Sequence, residues 1–482
     1  MRRRHFSLDR PIVGLAMAAL VVALSACAVG PDYHAPISRL ESFKNAPAAH
    51  ERVASPSVTL DAWWVGFDDP VLTQIIRRAL DQNLDLVASL ARVAQARAAA
   101  SAAGAKLAPS ADFSVQASAV RQSLETPIGA IGQGFGYPRD ARIYDVGATA
   151  SWELDLFGGL RRGAQAARAE AQAAEAERLG TRISVCAESA DAYFRVRGDQ
   201  ARITVAGEQI QVESRLVDLV RQRRARGVSS EREVAQAEAL LKQAQTVLPL
   251  LNIDLGAQLN RLDVLMGVQP GTYAKELETS REIPAIPGIP DNDRPLDVLR
   301  RRPDIIAAER RVAAANARIG VALSDYYPKI SLSGVLGFES LSSSHLFSAE
   351  AFQPIGTGAV RWRLFDFGRV SAEVAAARGA DAEALARYQL SVLRAAEDVE
   401  NAFLGLVQTE RRTRELKDEV ASLIRARDLS QQSYVSGVIP LTDVLDANRL
   451  LLTARDDLEQ SRADDARAAV RVFRALGGGW SG

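Results

Sequence analysis

The chain has 482 residues, and its 59 Lys and Arg balance its 59 Asp and Glu. A neutral total argues against a general nucleic-acid binder, which needs a basic face; 47% hydrophobic and 24% charged residues exclude a disordered chain. His5, His34, His50 and His345 have no metal-ligand spacing to a second His or Cys, and Cys27 and Cys186 alone make no disulfide framework, so neither a zinc site nor another cofactor is expected.

Residues 1–26 read as an export signal. Arg2, Arg3, Arg4 and Arg10 form a positive start, and Ile12 to Leu24 an apolar stretch too short to span a membrane comfortably. The segment ends Leu24-Ser25-Ala26-Cys27, similar to a bacterial lipobox, which marks Cys27 for acylation. Ala28 follows where such lipoproteins often carry an inner-membrane retention Asp, so the outer membrane is the expected destination. No later stretch reaches 18 apolar residues, so any crossing must be by strands, or the acyl chains only tether the protein.

The remainder is a duplication. Trp152-Glu-Leu-Asp-Leu-Phe-Gly158 returns as Trp362-Arg-Leu-Phe-Asp-Phe-Gly368, 210 residues later, and Gly227-Val228 returns as Gly437-Val438 at the same offset. Upstream the offset is 219, pairing Arg92-Val93-Ala94 with Arg311-Val312-Ala313 and Pro109 with Pro328. The nine-residue difference falls in a longer loop of the first copy, around Gly129 to Pro138. Each copy therefore reads helix, strand, variable loop, strand, very long helix, turn, helix. The expected divisions are the leader at 1–26, an extended lipidated segment at 27–70, a first repeat at 71–270, a Pro-rich connector at 271–294, a second repeat at 295–476 and a tail at 477–482.

Four segments alternate with period two. Phe113, Val115, Ala117 and Ala119 oppose Asp112, Ser114, Gln116 and Ser118; Val146, Ala148, Ala150, Trp152 and Leu154 oppose Asp145, Gly147, Thr149, Ser151 and Glu153. Ile330, Leu332, Leu336 and Phe338 oppose Lys329, Ser331 and Ser333; the fourth strand is read at Val360, Trp362 and Leu364, opposing Arg361 and Arg363. One apolar and one polar face fits a barrel wall with lipid outside and water inside, and places Asp145, Glu153, Arg361 and Arg363 in the lumen. Unpaired strand edges in lipid cost several kcal/mol per group, so four strands need other chains; three chains would supply 12. The stretches Gly158–Gly227 and Gly368–Gly437 lack proline, and a continuous helix over either would reach roughly 100 Å.

These residues resemble the TolC-like outer-membrane factors of efflux pumps, and among them the NodT-type lipoproteins. The carrying motifs are Cys27-Ala-Val-Gly-Pro-Asp-Tyr33 with Pro36, Trp63-Trp64 with Phe67 and Asp69-Pro70, and Arg302-Pro303-Asp304. Tyr326-Tyr327-Pro328, Gly437 with Asp443-Val-Leu-Asp446, and Leu476-Gly-Gly-Gly-Trp480 complete them. The resemblance implies a mainly helical chain with a small β part, assembled as a homotrimer with a shared 12-stranded barrel in outer-membrane lipid and a periplasmic α-barrel. It further implies a membrane-fusion adaptor and an inner-membrane pump, of RND type, as partners in small-molecule efflux, with adaptor contact at the tips Gly227, Val228, Gly437 and Val438. Tyr434, Asp443 and Asp446 match the family's entrance constriction, with Glu233 at the acidic position of the first copy. Where the family often has Arg two residues after the second tip glycine, this chain has Ile439.

An enzyme is the first rival reading. Gly132-Gln-Gly-Phe-Gly136 is glycine-rich but lies between strands and opens no helix, and no nucleophile with a placed base appears. A structural coiled coil is the second, and an outlet for type I protein secretion, which shares the architecture, the third.

Overall fold

The computed structural model describes residues 28–36, 41–51, 59–289 and 301–481. The signal segment, Cys27 and the end of the connector lie outside the described residues. The described residues form two compact units: 28–36, 94–173 and 309–387 make the first, and 41–51, 59–93, 174–289, 301–308 and 388–481 the second. The boundaries at 93/94, 173/174, 308/309 and 387/388 fall inside helices.

The elements follow the duplicated order. A short helix α1 (Ala46–His50) and a 3-10 segment (Leu60–Phe67) precede α2 (Pro70–Gln82). The first copy then runs α3 (Leu84–Ala105), β1 (Ser110–Arg121), α4 (Pro127–Gly134), β2 (Asp140–Leu154), α5 (Gly159–Ala225) and α6 (Glu231–Leu265). The second runs α7 (Pro303–Ser324), β3 (Lys329–Ser340), β4 (Phe352–Arg361), α8 (Arg369–Val435) and α9 (Leu441–Ala475). α5 and α8 are 67 residues each, where a globular helix averages about a dozen. Rich in Ala, Arg and Glu, both have the helix propensity such a length needs.

In the first unit the strands form one antiparallel sheet in the order β1-β2-β3-β4. The expected first three strands are present. The fourth differs: it runs Phe352–Arg361, so Trp362, Arg363 and Leu364 lie beyond it. The ladder ends at the pair Lys329↔Arg361 because Trp362 would next face Pro328, which has no N–H to donate. The earlier residues Pro354, Gly356 and Gly358 conceal strand character in the sequence; Pro354 stands near the start of β4, which has a single neighbour, β3, within the chain. A second difference is that the long first loop contains α4, capped by Thr126, whose side chain accepts from Gly129 N–H. The glycine-rich stretch from Gly132 closes this helix rather than opening one.

The second unit is built on an aromatic core. Trp63 stacks on Phe473 with ring centroids 5.3 Å apart, and Phe67 packs on Phe194 at 5.0 Å. Asp69 caps α2 by accepting from Val71 and Leu72 N–H and also accepts from the Tyr193 hydroxyl. Arg302 donates to the Ala475 carbonyl at 3.1 Å, closing the C-terminus of α9, while Asp304 and Asp398 hold its guanidinium. Gly478 lies against Leu60 O and Trp63, where a Cβ would stand 3.0 Å from each. The Trp-Trp, Arg-Pro-Asp and triple-glycine motifs thus meet in one packing unit.

Candidate functional site

The sheet register sorts the strand residues into two faces. On one, Phe113, Val146, Trp152, Leu332, Leu336, Phe352 and Val360 fall together. Phe113 is 72% exposed, Val360 68% and Leu336 61%, an apolar sheet surface that water would not favour. On the other face Asp145 stands between Gln116 and Glu339, and Glu153 faces Ser331. Lys329 faces Arg361 on the same side. The polar face therefore carries an acidic pair, Asp145 and Glu339, toward the strand-to-strand loops, and mixed charges, Lys329 and Arg361 with Asp112 and Glu153, toward the helices. Like charges directly opposite destabilise a sheet unless water screens them. Arg363, expected on this face, has left the strand and lies 3.8 Å from both Asp325 and Glu373.

Where strand becomes helix, the two copies solve one problem twice. Trp152 and Trp362 each turn an indole N–H onto a backbone carbonyl, and Gly158 and Gly368 take φ +80° and +88°, which an L side chain rarely adopts. Asp155 then caps α5 through Leu160 and Arg161 N–H, and Asp366 caps α8 through Gly368 and Val370 N–H. Phe157 stacks on Tyr327 at 4.5 Å, whereas its counterpart Phe367 is fully exposed with φ +51°. The segment after Cys27 reaches this junction: Val29 N–H donates to Phe157 O, and Arg162 donates to Val29 O, Gly30 O and Asp32.

The far turns of the long helices belong to the second unit and share one geometry. Gly227 and Gly437 have φ +76° and +79°. Val228 N–H returns to Arg223 O and Gly227 N–H to Arg224 O; Val438 and Gly437 repeat this with Ser433 O and Tyr434 O. This left-handed glycine cap leaves Val228 and Val438 exposed. Beneath the turns, Leu216, Val217, Val220, Val234, Tyr434, Leu441 and Val444 pack as one cluster.

The four expected gate residues have distinct surroundings. Tyr434 is buried at 3%, with Arg223 over its ring at 4.7 Å and its hydroxyl 3.3 Å from Ser229 Oγ. Glu233 closes a capping box, its carboxylate accepting from Ser230 N–H at 2.7 Å, which fixes the start of α6. Asp443 and Asp446 are exposed near the start of α9; Asp446 pairs with Arg449 at 3.2 Å. Sequence reading passed over one further group here. Glu213 is 1% exposed and takes a hydrogen bond from Gln209, and its Oε2 has no partner among the described residues. Its counterpart 210 residues on is Leu423, and that mismatch is the signal by which it could have been found.

Two tandem helix–strand–strand–helix copies, an incomplete amphipathic sheet and paired long hairpins define a channel-forming outer-membrane protein. The Outer membrane efflux protein family model matches residues 75–268 and 295–478, and the chain belongs to that family. It is 29% identical to Nodulation protein T of Rhizobium leguminosarum bv. viciae, over 97% of this chain and 94% of that one. It is 31% identical to the pyoverdine export outer membrane protein OpmQ of Pseudomonas aeruginosa, over 97% of both chains. Among solved structures, the outer-membrane channel OprN superposes with a TM-score of 0.85 at 32% identity, over 94% of this chain and all of that one. The open-state MtrE channel of Neisseria gonorrhoeae gives 0.80 at 25% identity, over 94% of this chain and 99% of that one. The protein is an outer-membrane efflux component, and its relatives are channels rather than enzymes.

Proposed function

We propose that three copies of this chain form an exit duct that expels small molecules through the outer membrane, fed by a periplasmic adaptor and an inner-membrane pump of RND type. The observation that carries this reading is the open four-stranded sheet with an exposed apolar face, in a chain of the outer membrane efflux protein family. In lipid its free edges demand partners. The duplication supplies the register. Ala150 pairs with Gly334 inside the chain; adding 210 to the first and subtracting 219 from the second pairs Val360 with Val115 of the next copy. The same shift sets Arg361 opposite Ser114 and keeps apolar on apolar and polar on polar. Three sheets so joined give 12 strands, with Asp145, Glu153 and Arg361 toward water and Phe113, Leu336 and Val360 toward lipid.

An acylated Cys27 fits the same arrangement. Ala28, the residue that follows it, lies against Gly158 at the strand–helix junction, and acyl chains would tether the protein to lipid. The turns at Gly227, Val228, Gly437 and Val438 form the docking end, and threefold symmetry gathers Asp443 and Asp446 into six carboxylates around the entrance. Small-molecule export is favoured over protein secretion because the similar proteins include a pyoverdine exporter and a toluene efflux component. The test is a drug- and solvent-susceptibility panel of a deletion strain. Complementation by this chain that restores resistance supports the reading. Loss of a secreted polypeptide with unchanged resistance rejects it.

A further inference from the structure

The two turns share a backbone and differ in charge. At the offset of 210, Arg221, Arg223, Arg224, Arg226 and Arg232 correspond to Gln431, Ser433, Tyr434, Ser436 and Thr442. Residues 221–236 hold five Arg and two Glu, net +3; residues 431–446 hold no basic residue and two Asp, net −2. Three of the arginines are engaged. Arg221 pairs with Glu238 and Arg224 with Glu231, both in exposed pairs of the kind worth about 1 kcal/mol or less. Arg223 lies over Tyr434 and donates to Val435 O. The side chains of Arg226 and Arg232 are exposed and have no partner among the described residues. The acidic turn does not neutralise them within the chain, since Asp446 pairs with Arg449 and Asp443 accepts from Thr442.

We propose that the first turn, through Val228, Arg226 and Arg232, is the docking face for a helical hairpin with carboxylates at its tip, while the second turn, Val438 with a net negative charge around it, gives such a tip no charge attraction. This rests on reading the turns as the docking end of the channel. The glycine caps hold both turns in one conformation, so little ordering entropy opposes contact, and Val228 and Val438 give them their apolar centres. The free guanidiniums around Val228 add steering and register, which weaken as salt rises. A partner built of identical hairpins therefore meets two unlike surfaces on each copy, and the basic one dominates its recognition.

The test uses the full chain in lipid nanodiscs and two synthetic helical hairpins that differ only in bearing glutamates or lysines at the turn. The glutamate hairpin should bind about tenfold more tightly at low salt and lose that advantage at high salt. Arg226→Glu with Arg232→Glu should abolish the preference. Ser436→Glu with Thr442→Glu, the same charges on the same backbone in the second turn, should leave it within about twofold. Equal binding of the two hairpins, binding of neither, or equal loss in both double variants overturns the proposal. Single-channel conductance of the unmodified chain separates the two claims: a normal pore with no hairpin preference sinks the docking surface alone, and absence of a pore sinks the channel reading.

Discussion

The indole N–H of Trp152 donates to the Leu107 carbonyl at 3.0 Å, and the duplication repeats the bond between Trp362 and Tyr326 at the same distance. Each carbonyl lies two residues before the proline that ends a helix, Pro109 or Pro328. The bond ties the end of the returning strand to the start of the outgoing one. It also satisfies a polar group at the level where the sheet gives way to helices, a position that suits the amphipathic indole ring. Replacing each indole by Phe keeps the ring and removes the donor, for about 1 kcal/mol per site. Trp152→Phe with Trp362→Phe should lower the temperature at which the assembly dissociates in detergent, with helix content unchanged. An unaltered transition would show that the bonds contribute nothing.

Glycine substitutions should separate backbone strain from close packing. At Gly437 a Cβ meets nothing within 4 Å, but φ is +79°, so Gly437→Ala should cost about 1 kcal/mol. At Gly478 a Cβ would stand 2.8 Å from Phe473 O and 3.0 Å from Trp63, so Gly478→Ala should cost 1–3 kcal/mol, about what overpacking costs, and disturb the aromatic core. Thermal melts of the two variants check the order. A larger loss at Gly437 contradicts it.

Burial pushes the Glu213 carboxyl up from 4.5 to about 7, against the opposing pull of hydrogen bonds from Gln209 and Asn448 and of Arg427. The folded pKa lies above the unfolded one, so the folded chain retains the proton between 4.5 and about 7. This contribution to stability is full below 4.5 and is lost as pH rises through 7. Asp199 and Asp465, each raised by burial to about 6, act in the same sense at lower pH. Hydrogen exchange in the Leu216–Val220 segment should therefore quicken from pH 6 to pH 8 beyond the intrinsic rate change. Glu213→Leu, the residue of the second copy, should remove that excess. An excess that persists in the variant rejects the assignment.

Asp443 and Asp446 define the proposed entrance. Six carboxylates around one axis would favour cations in the pore. Asp443→Ala with Asp446→Ala should change single-channel conductance in planar bilayers and reduce cation preference. Unchanged values would move the constriction elsewhere, and the buried Tyr434 and the capping Glu233 would then have structural roles only.

Much of this was legible in the sequence because the duplication checks itself. The recurrence of Trp152 to Gly158 as Trp362 to Gly368 fixed both strand–helix junctions, and the glycine pair at 227 and 437 fixed both turns. The fourth strand was misplaced because Pro354 near its start and the glycines after it break a strand pattern, while Trp362 and Leu364 continue the alternation past the last ladder bond. Glu213 was invisible since one carboxylate in a charged helix looks solvated until its surroundings are known. Tyr434 matched a motif, but only packing showed its ring under Arg223. The charge contrast between the turns was present at the offset of 210 and gained meaning once their backbones proved alike.

The central claim is that each sheet is completed by the next copy in the register the duplication dictates. Disulfide trapping in native membranes tests it most directly, with Val115→Cys and Val360→Cys in one chain and Cys186→Ser removing the buried thiol. The account predicts a covalent trimer on oxidation, with little product when Val360→Cys is combined instead with Phe113→Cys or Ala117→Cys. A product confined to monomer, or one indifferent to register, would contradict it.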